Sequence, residues 1–431
     1  MKIEIKNGRL IDPAQGIDRV ASLFIAAGKI SAIGTAPPGW QTHRAIDARG
    51  LVLSPGLIDC SARLREPGFE YKATLESELE AAVAGGVTSL ACPPDTDPPL
   101  DEPGLVEMLK HRARLLNRAH VYPIGALTVG LAGTTLTEMG ELAEAGCVAF
   151  SHADVPLADT QLLLRAMQYA ATFGHRVWLR PQDPHLSKGG VAHDGEVATR
   201  LGLPAIPAAA ETIALATIFT LIRETSVSVH LCRLSTAEGV AMVRAAKQEG
   251  LPITCDVAVH HLHLSEVDIG WFDAQAHVMP PFRSPRDRAA LRAGLTDGTI
   301  DVICSDHTPV DDDSKQLPFA EAEVGVTGLE LLLPLTLKWA AEERVGLPAA
   351  LAKITRAPAA LLGLHGGTLA IGHPADVCIF DPAAHWVVDR SSLKSQGKNT
   401  PFVGLEVPGR VKYTLIDGVV AGGLAPLPAN A

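Results

Sequence analysis

The middle of the chain, from about Leu51 to about Leu364, alternates short apolar segments with longer segments of helical periodicity. Such alternation is typical of repeated βα units, in which helices connect the strands of a parallel sheet. The predicted strands are 52–58, 87–91, 121–126, 147–150, 176–179, 227–231, 253–257 and 301–304. Amphipathic helices are predicted at 75–84, 137–145, 160–173, 212–222 and 237–248. Eight units in one continuous stretch predict an α/β fold, a closed (β/α)8 TIM barrel.

The two ends of the chain have a different pattern. Residues 1–50 and the stretch from Thr368 onward consist of short strand-like segments separated by Gly and Pro turns. Two β-rich ends around an alternating middle predict one discontinuous domain and one continuous domain. We expect residues 1–50 plus 368–431 to form a small composite β-sandwich domain and residues 51–367 to form the barrel.

Composition limits the partners and the location of the chain. A net charge of -11 without a block of consecutive Lys and Arg argues against binding to nucleic acid or to an acidic membrane. No apolar stretch is suited to a signal peptide or long enough to span a bilayer, so we expect a cytoplasmic protein. The seven cysteines include no CxxC pair and are interpreted as buried reduced thiols.

Polar side chains cluster where the predicted barrel strands end, which is where TIM barrels carry their functional residues. Arginines are unusually frequent among them: Arg63 and Arg65 follow the first strand, Arg180 the fifth and Arg233 the sixth. A guanidinium has no lone pair to offer and stays protonated in proteins, so it cannot bind a metal ion. The strand ends therefore predict a site rich in fixed positive charge.

The order of several motifs resembles that of dihydroorotases of the amidohydrolase superfamily. These motifs are RxREPG at 63–68, PPDTDPPLD at 93–101, FSHADVPL at 150–157, LRPQD at 179–183, HLCRLST at 230–236, VHHLHL at 259–264, PPFR at 280–283 and SDHTP at 305–309. The resemblance implies a metal-dependent-hydrolase-type barrel. It also implies hydrolysis of a cyclic amide in pyrimidine biosynthesis, with zinc polarising the attacking water and an aspartate handling the proton.

The chain departs from this family at nearly every metal-ligand position. Ser61 and Arg63 stand where the family has its HxH pair, and His152 and Ala153 stand at the aspartate pair after the fourth strand. Arg180 and Arg233 replace the two later histidines, and only Asp306, the family's catalytic aspartate, matches. Since zinc takes about four ligands, we expect no metal cofactor at this site and regard Asp306 as vestigial.

The arginines suggest how a barrel survives the loss of its metal. Without a cation, Asp59 and Asp306 would be uncompensated anions in a confined site. We expect Arg63, Arg180 and Arg233 to pair with them and with Asp183 in a salt-bridge plug. The alternative is that each arginine points to solvent.

At the substrate-binding positions, some residues match the family and others differ from it. By resemblance, Arg65 matches the arginine that binds the substrate carboxylate and His307 the histidine beside the catalytic aspartate, so both are expected to be vestigial substrate-binding residues. Asp95 and Met279 replace two family asparagines, and the charge of Asp95 disfavours an anionic pyrimidine precursor. Alternatively, Arg65 forms a buried ion pair with Glu66 or Asp59.

The same variants resemble a non-catalytic dihydroorotase-like chain of some bacteria that associates with aspartate transcarbamoylase and supports its assembly. We therefore expect a pseudoenzyme that acts as a structural subunit in a hetero-oligomer with the aspartate transcarbamoylase catalytic chain. Two alternatives remain open: an active cyclic-amide hydrolase with a non-standard metal site, and a sensor of an anionic metabolite. Self-association of the chain is also left open.

Overall fold

A computed structural model describes residues 1–423 and contains the predicted barrel. Its eight parallel strands lie side by side in chain order. They are Leu57–Asp59, Val87–Cys92, His120–Ala126, Ala149–Ser151, Val177–Leu179, Val229–Leu231, Ile253–Ala258 and Val302–Cys304. The predicted fold class is confirmed. The last residues of the predicted composite domain, 424–431, lie outside the described residues.

Closure of the barrel takes place beyond the ends of its first and last strands. Ala62 and His307 form a parallel bridge between the two segments that follow those strands. Arg63 N donates to the carbonyl of His307 at 2.8 Å, and His307 N donates to the carbonyl of Ser61 at 3.1 Å. The two segments that carry the candidate site residues are therefore fixed to each other by their backbones.

Helices surround the barrel and connect its strands. The α-helices are Leu75–Ala84, Pro103–Leu116, Met139–Ala145, Thr160–Phe173, Glu196–Leu201, Ala209–Thr225, Ala237–Glu249, Pro285–Thr296, Leu332–Glu342, Leu347–Ala352 and Arg356–Leu362. Helix Leu75–Ala84 starts with a capping box between Thr74 and Ser77, which satisfies two backbone donors of its first turn. The predicted helices 75–84 and 160–173 have the observed bounds. No helix within residues 1–423 is long and apolar enough to cross a membrane.

The second sheet combines both ends of the chain. Its strands are Lys2–Asp12, Ile17–Ala26, Lys29–Ile33, Arg44–Asp47, Val52–Pro55, Val377–Val387, Glu406–Ile416 and Val419–Gly423. A hydrophobic core of its own includes Ile3, Ile5, Leu53 and Ile379, all completely buried. A separate pair of two-residue strands, Ala192–His193 and Ala205–Ile206, lies outside both sheets.

One predicted strand is divided between the two sheets. Residues 52–58 were expected to form the first barrel strand, but Val52–Pro55 pairs with Val377–Val387 in the second sheet and only Leu57–Asp59 enters the barrel. The chain changes sheets at Gly56, where a Cβ atom would lie 2.1 Å from Oγ1 of Thr88. The predicted segment contains Ser54, Pro55 and Gly56, and the Pro-Gly pair is a turn signal at the point where the chain changes sheets.

Candidate functional site

Arg63 joins three carboxylates at the mouth of the barrel. Its Nε donates to Asp95 at 2.7 Å and its Nη2 donates to Asp154 at 2.8 Å. Its Nη1 lies 3.4 Å from Oδ1 of Asp306 and donates to Thr308 at 3.0 Å. The side chain of Arg63 is only 6% exposed. All three guanidinium nitrogens therefore have polar partners inside the protein.

Arg233 and Arg180 approach two of the same carboxylates from the other side. Arg233 Nη1 donates to Asp306 Oδ1 at 2.9 Å, and its Nη2 is in close contact with Asp154 Oδ1. Arg180 Nη2 donates to the backbone carbonyl of Asp154 at 2.6 Å. Its Nε is 2.9 Å from Asp154 Oδ1, but the angle does not make a hydrogen bond. Asp154 is thus shared by three guanidiniums.

We call these six residues the arginine–aspartate cluster: Arg63, Arg180, Arg233, Asp95, Asp154 and Asp306. Burial raises the pKa of Asp154, but Arg233 and Arg63 outweigh this effect and hold it well below its usual range. Burial lowers the pKa of Arg180 to about 10, still above neutrality. Burial also raises the pKa of Asp306, which Arg233 and Arg63 partly counter. Three cations therefore face three acidic groups in a confined space.

The backbone of the strand ends is unusual at four of the predicted site residues. Arg65, Ala153, Arg233 and Asp306 have φ values of 62°, 49°, 56° and 48°. Such left-handed conformations are uncommon for residues other than Gly and are enriched at functional sites. Two of these turns carry Arg233 and Asp306, whose side chains meet in a hydrogen bond of 2.9 Å.

The donor atoms at the barrel mouth do not fit the zinc ion that the resemblance implies. A catalytic zinc site needs three or so protein ligands, usually with histidine among them. Here the available donors are carboxylates that already bind guanidiniums, and each guanidinium would repel a dication by several kcal/mol at short range. A metal ion would have to displace three buried cations.

The expected salt-bridge plug is present, but two of its predicted members are wrong. Asp59 accepts from Ser305 N at 2.9 Å and contacts the Ser305 hydroxyl, without an arginine partner among residues 1–423. Asp183 accepts the backbone amides of His185 and Leu186 and caps a turn. Short polar residues at strand ends have local backbone donors available, and these compete with distant arginines.

Of the three other positions that the resemblance identifies as substituted metal ligands, Ser61, His152 and Ala153, only Ser61 contacts the cluster. Ser61 Oγ is 3.3 Å from Asp306 Oδ1 and supports that carboxylate. His152 is bonded through Nε2 to Thr128 at 2.8 Å and through Nδ1 to the carbonyl of Val155 at 2.7 Å. Ala153 is buried in a small apolar group with Ala126 and Leu131. Both ring nitrogens of His152 therefore have partners outside the arginine–aspartate cluster.

A cavity of about 280 Å³ lies above the cluster and is lined by Arg65, Met279 and Glu323 among others. Arg65 is 8% exposed, and its Nε donates to the carbonyl of Pro309 at 2.8 Å. The alternative of an ion pair with Glu66 is not observed, because Glu66 contacts Arg112 and accepts from Leu75 N. Within residues 1–423, no carboxylate lies within 4 Å of the Arg65 guanidinium.

His307 is turned away from that cavity. Its Nε2 lies 2.6 Å from Glu78 Oε2, and its Nδ1 accepts from Gly328 N at 3.0 Å. Both side chains of the His307–Glu78 pair are completely buried. The structure therefore brings Arg65 to the cavity and places His307 behind it.

Sequence reasoning missed the central role of Asp154. Asp154 lies within the FSHADVPL motif, one residue after the two positions that were compared with the family's aspartate pair. An available signal was its position at the end of the fourth barrel strand, opposite the arginines that follow the first, fifth and sixth strands. The buried Glu78 was missed as well, since it lies on a helix that reads as amphipathic.

Two family models match the chain: Dihydro-orotase-like over residues 50–239 and Amidohydrolase family over residues 191–421. A dihydroorotase-like protein from Pseudomonas aeruginosa is 46% identical over 418 residues, covering 97% of this chain and 99% of the relative. A dihydroorotase from Geotalea daltonii is 41% identical over 420 residues, covering 97% and 99%.

Solved structures agree in fold. An L-hydantoinase (dihydropyrimidinase) from Arthrobacter aurescens has a TM-score of 0.87 at 24% identity, covering 99% of this chain and 97% of that chain. A dihydropyrimidinase from Brevibacillus agri has a TM-score of 0.82 at 19% identity, covering 98% and 96%. The family models and the near-full-length relatives agree with the observed barrel and second sheet. The chain belongs to the dihydroorotase-like family of amidohydrolases.

Proposed function

We propose that this chain is a catalytically inactive member of its family that acts as a structural subunit of aspartate transcarbamoylase. The observation that carries the proposal is the arginine–aspartate cluster, in which Arg63, Arg180 and Arg233 occupy metal-ligand positions and bind the carboxylates around them. A zinc-activated water has no place among three buried guanidiniums. A barrel kept intact around such a cluster is consistent with a structural role.

The choice of partner rests on the resemblance to the non-catalytic chain that assembles with aspartate transcarbamoylase. Two similar relatives, from Pseudomonas aeruginosa and Pseudomonas putida, are called dihydroorotase-like proteins, at 46% and 44% identity. These names support a role in the pyrimidine pathway.

Co-expression with the aspartate transcarbamoylase catalytic chain tests the partnership. We expect the two chains to co-elute in gel filtration at a defined stoichiometry, and we expect transcarbamoylase activity to fall when this chain is omitted. Separate elution together with unchanged transcarbamoylase activity would overturn the structural role. Arg223→Ala, which changes one exposed ion pair on the barrel exterior, should keep the complex if that part of the surface is not the contact.

A dihydroorotase assay tests inactivity independently of the partner. We expect no turnover of dihydroorotate or carbamoyl aspartate, with or without added zinc. Zinc-dependent turnover by the wild type would favour the active hydrolase with a non-standard site. The assay should be repeated on the co-expressed complex, because a partner can donate groups to a site.

A second candidate function, sensing of an anionic metabolite, is favoured by Arg65. Its buried guanidinium lines the cavity of about 280 Å³ without a carboxylate partner within residues 1–423. Burial lowers the pKa of Arg65, and the nearby charge of Arg63 lowers it further, so a bound anion would be favourable. Against this, Asp95 lines the same cavity.

Thermal unfolding with carbamoyl aspartate or dihydroorotate tests the sensor. A rise in Tm for the wild type that disappears in Arg65→Ala but persists in the exposed control Arg19→Ala would support it. An equal shift in all three proteins, or none, would rule out Arg65 as the binding group.

A further inference from the structure

A second group of ionisable residues lies far from the barrel mouth, where the barrel meets the second sheet. His120 is the first residue of the third barrel strand. Asp376 directly precedes strand Val377–Val387, and Asp417 lies in the turn between the last two strands. The three residues therefore come from both structural units of the chain.

The spacing of these side chains is compatible with metal ligands as well as with an ion pair. His120 Nε2 is 3.3 Å from Asp376 Oδ2 and 3.8 Å from Asp417 Oδ2. A charge-assisted N–H···O bond is shorter, about 2.7–2.9 Å. Ligand atoms about 2.0–2.1 Å from a tetrahedral zinc ion lie about 3.4 Å apart. The spacing of 3.3 Å is close to that value, the spacing of 3.8 Å is longer, and all three ligand atoms lie within 4.8 Å of one another.

The carboxylate of Asp376 is held in a fixed orientation by a backbone hydrogen bond. Asp376 Oδ1 accepts from the backbone amide of Asp417 at 2.9 Å, which leaves Oδ2 directed at the imidazole. The Asp376 side chain is 11% exposed, whereas those of His120 and Asp417 are 32% and 60% exposed. Such a site has a preformed buried ligand and an open side through which an ion can enter.

The charges around the site are mixed, because Lys110, Arg114 and Arg118 line the same pocket as His120 and Asp417. In the part of the chain that the structure describes, no Lys or Arg nitrogen lies within 4 Å of either carboxylate. The two carboxylates therefore have the imidazole of His120 as their close partner, with no guanidinium or ammonium group in direct contact among residues 1–423.

A second histidine-containing cluster, inside the barrel, differs in that its polar groups are already hydrogen-bonded. His230, Cys232 and Asp256 also lie close together inside the barrel. However, Asp256 accepts from Arg233 N at 2.6 Å, and His230 Nδ1 is 2.8 Å from the Thr254 hydroxyl. Burial raises the pKa of Cys232 and keeps its thiol protonated. That cluster has its hydrogen bonds satisfied and no free ligand set.

We propose that His120, Asp376 and Asp417 form a binding site for a divalent transition-metal ion such as Zn²⁺, with water completing a tetrahedral coordination. The ion ties the start of the third barrel strand to the terminal hairpin of the second sheet. Its role is structural, because one imidazole and two carboxylates from separate units are drawn together. The site is independent of the arginine–aspartate cluster and of the proposed partnership.

Metal titration of the full-length, tag-free protein after chelator treatment tests the proposal. With Co²⁺ as a spectroscopic probe, we expect about one equivalent bound, with the visible absorption of tetrahedral cobalt, and displacement by Zn²⁺. His120→Ala and the surface substitution Asp417→Asn should each weaken Co²⁺ binding about tenfold or more. The exposed His185→Ala should bind as the wild type does.

A second measurement separates loss of ligands from loss of fold. Zn²⁺ should raise the Tm of the wild type and of His185→Ala more than that of Asp417→Asn, whose circular dichroism without metal should match the wild type. No Co²⁺ uptake by the wild type, or equal uptake by the wild type, His120→Ala and Asp417→Asn, would overturn the proposal.

Discussion

Asp306 accepts a hydrogen bond of 2.9 Å from Nη1 of Arg233, and both side chains are more than nine-tenths buried. The family resemblance places a metal-binding histidine at the position of Arg233 and the catalytic carboxylate at Asp306. A guanidinium therefore provides the positive charge beside the carboxylate. The same substitution that supports the fold excludes metal ligation by this side chain.

Arg233→Ala tests how much the cluster contributes to stability. The substitution leaves Asp306 and Asp154 buried with fewer cationic partners, and breaking a buried ion pair in this way costs about 3 kcal/mol or more. Urea-induced unfolding followed by circular dichroism measures the loss. Arg223→Ala, which removes an exposed pair with Glu249, should change the midpoint little. Equal midpoints for the two variants would contradict a stabilising role for the cluster.

Asp154→Ala removes the carboxylate that three guanidiniums share. The uncompensated positive charge should lower the Tm and create an affinity for small anions. We expect acetate or phosphate to raise the Tm of this variant more than chloride at equal ionic strength does. The wild type, in which Asp154 fills the space, serves as the control. Identical responses of both proteins to acetate would argue against a shared role for Asp154.

Asp59→Asn should change the dependence of stability on pH. Burial raises the pKa of Asp59 to about 6, which hydrogen bonds from Ser305 and Ser61 only partly counter. Since an unfolded Asp has a pKa of about 3.9, the folded protein binds this proton more tightly. The contribution to stability is therefore complete below about pH 4 and is lost as the pH rises through about 6.

For the wild type, this group should lower the free energy of unfolding by about 3 kcal/mol between about pH 4 and about pH 7. Asp59→Asn should lack that part of the decrease. Urea unfolding at a series of pH values measures the difference between the two proteins. Parallel pH profiles would show that Asp59 titrates normally in the fold.

Glu78→Gln tests the buried pair behind the cavity. Burial raises the pKa of Glu78, but hydrogen bonds from His307 and Ser395 outweigh it and lower the pKa overall. The carboxylate also accepts from Gln396 N at 2.9 Å, so it ties the segment around Ser395 to the barrel. Loss of the charge should lower the free energy of unfolding by about 2 kcal/mol.

The matched control is Glu80→Gln, two residues further along the same helix with an exposed side chain. It should leave the urea midpoint nearly unchanged. If Glu78→Gln is as stable as Glu80→Gln, the pair with His307 contributes no net stability.

Much of the architecture was predictable from local patterns. Helix 160–173 follows from its apolar periodicity and the Asp159 cap, and the barrel follows from eight repeated units. The Pro55-Gly56 pair marks a break in the predicted strand, but the pairing of Val52–Pro55 with Val377–Val387 was not predictable, because it joins residues more than three hundred positions apart. Hydrophobicity marks a buried strand but does not identify its neighbours.

The sequence by itself determined the fold class, and the family resemblance that it carries predicts that Ser61, Arg63, Arg180 and Arg233 replace metal-ligand side chains. Only the tertiary structure decided which carboxylates those arginines bind. Asp154 became the centre of the cluster and Asp59 and Asp183 did not, since ion pairing depends on distance and direction across strand ends far apart in sequence. Residue types limit the chemistry of the site, and three-dimensional proximity selects the partners.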